Sequence, residues 1–161
     1  MNNFDELGAA RRGDGRILYF GYGANMPLDS MDARCPGAEP VSQATLEDYE
    51  LVFKLFADVV TRPGYKVQGA VFALTEAHVA RLDRFEGYPS LYVRRVVTVT
   101  LRGGERVQAM VYIMACGRGG QPSAEYRDCL LRGCRDWGIG DEYQQEIVRK
   151  AGKAKAGDWD W

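Results

Sequence analysis

The stretch VQGAVFALTEAHVARLDRFEG, residues 67–87, predicts a strand that leads directly into a helix. Residues 67–74 are mostly apolar and rich in strand-forming side chains. Thr75 can accept a free amide hydrogen of the first helical turn, and Glu76 suits the positive end of the helix dipole. Gly87 is a typical helix stop. We therefore predict a strand over 67–74 and a helix that ends before Gly87.

Glu86 occupies an unusual place in this predicted helix. Val79, Leu82 and Glu86 stand at i, i+3 and i+7, so the carboxylate lies on the stripe that should face the core. Burial disfavours the charged form, which predicts a raised pKa and suits a general acid/base near neutral pH. The alternative, an ordinary glutamate at a frayed helix end, stays open on these residues alone.

The segment YFGYGANM, residues 19–26, raises a second possibility of chemistry. The apolar run from Ile17 to Phe20 predicts a strand, and Gly21 and Gly23 end it. Glycines after a buried strand leave backbone N–H groups uncovered, and such groups can hold a carboxylate or a developing oxyanion. The alternative is a tight turn at a strand end, since the spacing matches neither common nucleotide-binding motif.

Other segments complete a single predicted domain over 16–150, because 161 residues with 46% apolar content suit one core. The most regular is a hairpin, in which valines alternate along both strands around the turn RGG. In chain order we predict a mobile tail over 1–15, a helix from Pro27 to about Ala33, strands over 41–46 and 50–56, a loop over 62–66, a hairpin pairing 92–101 with 105–114, helices from 123 and from about 141, and a tail over 151–161.

Composition excludes several classes of function. Lys plus Arg number 21 and Asp plus Glu 22, so no large field favours nucleic acid or an anionic membrane. The start carries charges of both signs, and no run approaches the ~20 apolar residues of a membrane span, so we expect a cytoplasmic protein. One histidine and four cysteines without a CxxC pair make a zinc site unexpected and favour reduced thiols.

Three segments together resemble the gamma-glutamylcyclotransferase family. They are YFGYGANM, then GAVFALTEAHVARLDRFEGYPSLYVRR, and then PSAEYRDCLLRGCRDWGIGDEYQQ, in order and across residues 16–150. The resemblance implies an α+β fold around a mixed, partly closed β-barrel with flanking helices. It implies Glu86 as the catalytic residue, and a substrate-binding set at Tyr19, Phe20, Gly21, Tyr22, Gly23, Ala24, Asn25 and Gly117.

The resemblance also implies a chemistry, in which a gamma-glutamyl compound becomes 5-oxoproline and a free amino acid or amine. That reaction calls for no cofactor, no metal and only a small-molecule partner; a homodimer stays open. Ala24 replaces the family's usual serine, and Gly117 stands where animal enzymes carry a tyrosine. The alternatives are a non-catalytic small-ligand or protein-binding module of the same fold, and a pathway-specific enzyme for gamma-glutamyl amines.

Overall fold

The computed structural model describes residues 5–153 as a β-barrel with four flanking α-helices. A short 3-10 helix, Asp5–Ala10, precedes the first strand. The strands are β1 (Ile17–Gly21), β2 (Glu39–Lys54), β3 (Phe56–Leu74), β4 (Tyr92–Leu101) and β5 (Arg106–Met114), and the helices are α1 (Leu28–Arg34), α2 (Glu76–Glu86), α3 (Ala124–Asp136) and α4 (Asp141–Lys153).

The five strands close in the order β1-β3-β2-β4-β5. β1 runs antiparallel to β3, with Ile17 opposite Leu74, and parallel to β5, where Tyr19 lies opposite Met110. The remaining neighbours are antiparallel. The barrel therefore contains parallel and antiparallel strand pairs, as predicted, and the short parallel pairing of β1 with β5 closes it. Together with the four flanking helices it confirms the predicted α+β class.

β2 and β3 differ most from the predicted elements. Where we predicted two strands over 41–46 and 50–56, the chain forms the single strand β2, and β3 continues through the predicted loop 62–66. The pairing of β2 with β3 explains both differences from the predicted elements. Glu47 faces Lys66 but Tyr49 faces Thr61, so residues 62–65 bulge opposite Asp48 alone. The Pro-Gly signal thus marks a bulge inside a long hairpin and does not end the strand.

The described part of the predicted N-terminal tail packs on the barrel. Leu7 and Ala10, in the 3-10 helix, are buried and belong to the core. The prediction of a mobile tail over 1–15 missed these two apolar residues, which contact the barrel. At the other end α4 extends to Lys153, with Ala151 buried, so the predicted boundary at 150 is too early. The rest of the predicted C-terminal tail lies outside the described residues.

α2 is anchored at both ends, and this fixes the position of Glu86. The Thr75 hydroxyl accepts a hydrogen bond from the backbone N–H of His78, and the His78 ring accepts one from the Thr75 N–H. Gly87 has a φ of 68°, the left-handed conformation that favours glycine, and its N–H donates to the Arg84 carbonyl. The predicted helix and both of its ends are confirmed.

The buried apolar residues of the described range form one continuous cluster inside and around the barrel. None of the four cysteines is in a disulfide bond in this structure. No helix within residues 5–153 combines the length and apolar character needed to cross a bilayer. In the same range no three His, Cys, Asp or Glu side chains are grouped as metal ligands.

Candidate active site

A cavity of about 560 Å³ opens beside the β1–α1 loop, the end of α2 and the start of α3. Its lining is rich in aromatic rings and contains few charges. The lining residues are Tyr19, Tyr22, Gly23, Ala24, Asn25, Arg34, Phe56, Ala57, Phe85, Glu86, Leu91, Tyr92, Tyr112, Ser123, Glu125, Tyr126 and Cys129.

Glu86 is the last residue of α2, and its carboxylate lines the cavity. The side-chain amide of Asn25 donates a hydrogen bond to Glu86 Oε1 at 2.9 Å. Burial raises the pKa of Glu86 to about 7, although the nearby Arg34 and the Asn25 hydrogen bond both lower it. The prediction of a raised pKa is confirmed, and its cause is the predicted one. Glu86 can therefore exchange a proton near neutral pH.

Arg34, at the end of α1, is the one cation among the described lining residues. Its Nη1 donates to the Asn25 side-chain oxygen at 2.7 Å and to the Ala24 carbonyl at 2.6 Å. Its guanidinium also lies over the Phe85 ring, 3.8 Å from the centroid. Arg34 thus orients the amide that contacts Glu86 and holds the loop beside it.

The β1–α1 loop makes a tight turn, in which the Met26 N–H donates to the Gly23 carbonyl at 3.0 Å. The N–H groups of Gly23 and Ala24 donate to no acceptor within the described part of the chain. Gly23 also lies close to Tyr126, because a Cβ at this position would be 3.1 Å from the Tyr126 hydroxyl. The loop therefore forms a tight turn and also places two backbone N–H groups without acceptors among the described residues at the cavity wall.

Most of the predicted site residues meet at this cavity. Tyr19, Tyr22, Gly23, Ala24, Asn25 and Glu86 all line it. Phe20, Gly21 and Gly117 do not line it, so these three predictions are not supported by the geometry. Phe20 is completely buried in the core, and Gly117 lies exposed beside Met114 and Lys54.

Tyr19 and Tyr126 bring hydroxyl groups to the cavity in the same manner. The Tyr19 oxygen accepts from the Asn25 amide at 3.0 Å, and the Tyr126 oxygen accepts from the Ala57 N–H at 2.9 Å. Burial raises the pKa of both phenols, so both keep their hydrogens. Since each oxygen is the acceptor in these bonds, each O–H remains available to a ligand.

Two other tyrosines were missed from the sequence, although each carried a signal. Tyr92 begins β4 on the face opposite to the valines, and its hydroxyl donates to the Ala57 carbonyl at 2.7 Å. Tyr112 on β5 donates to Asp83 Oδ1 at 2.7 Å. Buried tyrosines usually find such partners. In each strand the tyrosine lies on the face opposite to most of the valines, and this position was the sequence feature that could have identified it.

Asp83 lies one turn before Glu86 and is held by a network behind the cavity. Besides Tyr112, it contacts Arg94, whose Nη1 is 3.3 Å from Asp83 Oδ2. Arg94 is buried and lies over the Tyr88 ring, 4.1 Å from the centroid. Arg94 therefore reaches inward from β4, whereas the neighbouring Arg95 is exposed. The network fixes the last turn of α2, and with it the direction of Glu86.

Comparison with known proteins gives concordant results. A family model described as gamma-glutamyl cyclotransferase, AIG2-like, matches residues 19–133. A gamma-glutamylcyclotransferase from Mus musculus is 28% identical, with 91% of this chain and 85% of the relative covered. Its counterpart from Bos taurus is 30% identical, with 81% and 77% covered. A solved structure named gamma-glutamyl cyclotransferase has a TM-score of 0.78 and 25% identity, with 89% and 90% covered.

Proposed function

Because the chain belongs to the gamma-glutamyl cyclotransferase, AIG2-like, family, we propose that it cyclises a gamma-glutamyl group and releases 5-oxoproline with a free amino acid or amine. Glu86 is the general acid/base of this reaction. The observation that carries the proposal is a half-buried carboxylate at a cavity wall, with a pKa of about 7 and an amide donor on one oxygen.

The first step is removal of a proton from the substrate's own α-ammonium group. A model α-amine has a pKa of about 8, so transfer to an ordinary glutamate, at 4.5, costs about 5 kcal/mol. Transfer to Glu86, at about 7, costs only about 1.4 kcal/mol by the same conversion. The raised pKa therefore removes much of the cost of making the nucleophile.

The freed amine then attacks the gamma-carbonyl carbon of the same molecule, which closes a five-membered ring. The carbonyl electron pair moves to oxygen, and returns as the bond to the leaving nitrogen breaks. Protonated Glu86 gives its proton to that nitrogen. The restored carboxylate then takes the second proton from the ring nitrogen, which becomes the lactam N–H, and passes it to the released amine, so Glu86 ends as it began and no water is consumed. Ring closure is intramolecular, so proximity is built into the substrate.

The groups around Glu86 suit the charges that this reaction creates. The N–H groups of Gly23 and Ala24 and the O–H of Tyr19 and Tyr126 are donors without protein acceptors among the described residues. Such fixed donors stabilise an oxyanion or hold a carboxylate in a partly dry cavity. Arg34 supplies a positive charge near the same groups for the substrate's α-carboxylate.

The test is to incubate the purified protein with gamma-glutamyl dipeptides, glutathione and gamma-glutamyl amines, and to measure 5-oxoproline by mass spectrometry. We expect product from at least one class. Glu86→Gln should keep the fold and substrate binding and lose turnover by about 100-fold or more. Glu105→Gln, an exposed glutamate in the turn between β4 and β5, is the matched control and should be as active as the parent protein. No product from any compound would refute the proposal, and an active Glu86→Gln would show that another group is the base.

A further inference from the structure

The cavity has two chemically different ends. Tyr19, Asn25 and Tyr112, which surround the polar end near Glu86, are buried. The residues that line the cavity and are also exposed define its mouth, and three of them are large and apolar: Phe56, Phe85 and Leu91, at 46%, 51% and 40% exposed. Ser123 and Glu125 complete the mouth.

The grouping of these apolar side chains points to a ligand contact. Single exposed apolar residues are normal on a protein surface and need no explanation. Of the eight large apolar residues exposed in the described range, however, three lie at this one opening. A small-molecule site usually has such apolar walls around a few polar groups that fix orientation.

Phe56 is held in place before any ligand arrives. Its ring packs edge-on against the Tyr126 ring, with centroids 5.4 Å apart. The next residue, Ala57, is fixed through both backbone groups, because its N–H donates to Tyr126 and its carbonyl accepts from Tyr92. A pre-positioned aromatic ring loses little conformational entropy on binding.

The charged side chains of the lining also differ between the two ends of the cavity. Arg34, the one cation among the described lining residues, donates its hydrogen bonds to the loop beside Glu86, at the polar end, and its guanidinium also covers the Phe85 ring on one side of the mouth. Glu125, at the mouth, is negative. A glutamyl group must place its α-amine near Glu86, so the leaving group projects toward a mouth that is mainly apolar and carries Glu125.

We propose that the mouth is a subsite for a bulky apolar leaving group, with Phe56 as its main specificity-determining residue. This inference rests on the proposed cyclotransfer. The preferred substrate is a gamma-glutamyl amide of a large apolar amino acid or amine, and an acidic leaving group is rejected by Glu125.

The test compares kcat/KM for gamma-glutamyl-phenylalanine, gamma-glutamyl-alanine and gamma-glutamyl-aspartate on the same enzyme preparation. We expect the phenylalanine compound to exceed the alanine compound by about tenfold or more, since each methylene in an apolar pocket is worth about tenfold or more. Phe56→Ala should lower the phenylalanine value by about tenfold and change the alanine value by less than about threefold. A purely structural role for Phe56 would lower both values equally.

Tyr65→Ala is the matched control, because Tyr65 is an aromatic residue of β3 with 39% exposure that does not line this cavity. It should leave the preference unchanged. Glu125→Lys should raise kcat/KM for the aspartate compound at least fivefold. Equal or better turnover of the alanine compound by the parent protein would overturn the inference and leave the proposed reaction standing. Absence of 5-oxoproline from all three, with product from glutathione or a gamma-glutamyl amine, would overturn the inference alone, and absence from every compound would contradict the proposed reaction.

Discussion

Replacement of Glu86 by glutamine should stabilise the protein at alkaline pH, although it should lower turnover by about 100-fold or more. Glutamine is a neutral isostere of the protonated carboxyl group, and its side-chain oxygen can still accept the hydrogen bond from Asn25. What the substitution removes is a negative charge that burial disfavours. The expected gain in stability follows from the difference in pKa between the folded and unfolded states.

The magnitude comes from linkage. The folded-state pKa of Glu86 is about 7 and the unfolded value 4.5, so between these pH values the folded protein holds one more proton. The contribution of Glu86 to the free energy of unfolding is thus fully present below pH 4.5 and is lost as the pH rises through about 7. At 1.36 kcal/mol per pKa unit the loss is about 3 kcal/mol, an upper value because the side chain is only half-buried.

The measurement is urea unfolding of the parent protein and Glu86→Gln between about pH 5 and pH 8, with the unfolding free energy compared at each pH. The two proteins should be similar in stability at about pH 5, and the variant should be more stable by about 2–3 kcal/mol at about pH 8. A difference that does not change with pH would refute the raised pKa. A variant that becomes relatively less stable as pH rises would show that the charged carboxylate is stabilised by its neighbours.

Two further predictions follow from contacts around the site. Asn25→Ala removes a hydrogen-bond donor that lowers the pKa of Glu86. The acidic limb of the pH profile of kcat/KM should therefore move upward by about one pH unit. An unchanged limb would mean that this hydrogen bond does not affect the pKa of the base. Gly69→Ala would place a Cβ 2.4 Å from the Gly21 carbonyl oxygen, and should cost about 2 kcal/mol or more in unfolding free energy by thermal or urea unfolding. Gly103→Ala, where no atom lies within 4 Å, is its control, and equal losses at both positions would contradict the steric explanation.

The sequence could predict the parts of the site that local interactions decide. α2 begins at a threonine cap, ends at a left-handed glycine and carries its carboxylate on the inward stripe, and each of these features depends on neighbours within one turn. The same is true of the glycine loop after β1. Glu86 and Asn25 could be placed on separate elements, although their contact could not be derived from either one.

Long-range pairing decided what the sequence could not show. Residues 62–66 carry an ordinary loop signal, and only the ladder between β2 and β3 turns them into a bulge. Arg34 lies at the end of a short polar helix, where a solvated side chain is the default expectation. Its role depends on Asn25 and Phe85, which reach it from two different elements of the fold.

The β1–α1 loop contributes to the site through its backbone at Ala24. Ala24 has no side-chain hydroxyl, yet its carbonyl accepts a hydrogen bond from Arg34, and its N–H has no acceptor within the described part of the chain. Arg34 in turn orients Asn25, which contacts Glu86. The backbone of Ala24 is therefore coupled to the base through one arginine and one amide. Since no link in this series depends on the side chain at position 24, the alanine that stands where the resemblance implies a serine keeps the geometry that the proposed reaction needs.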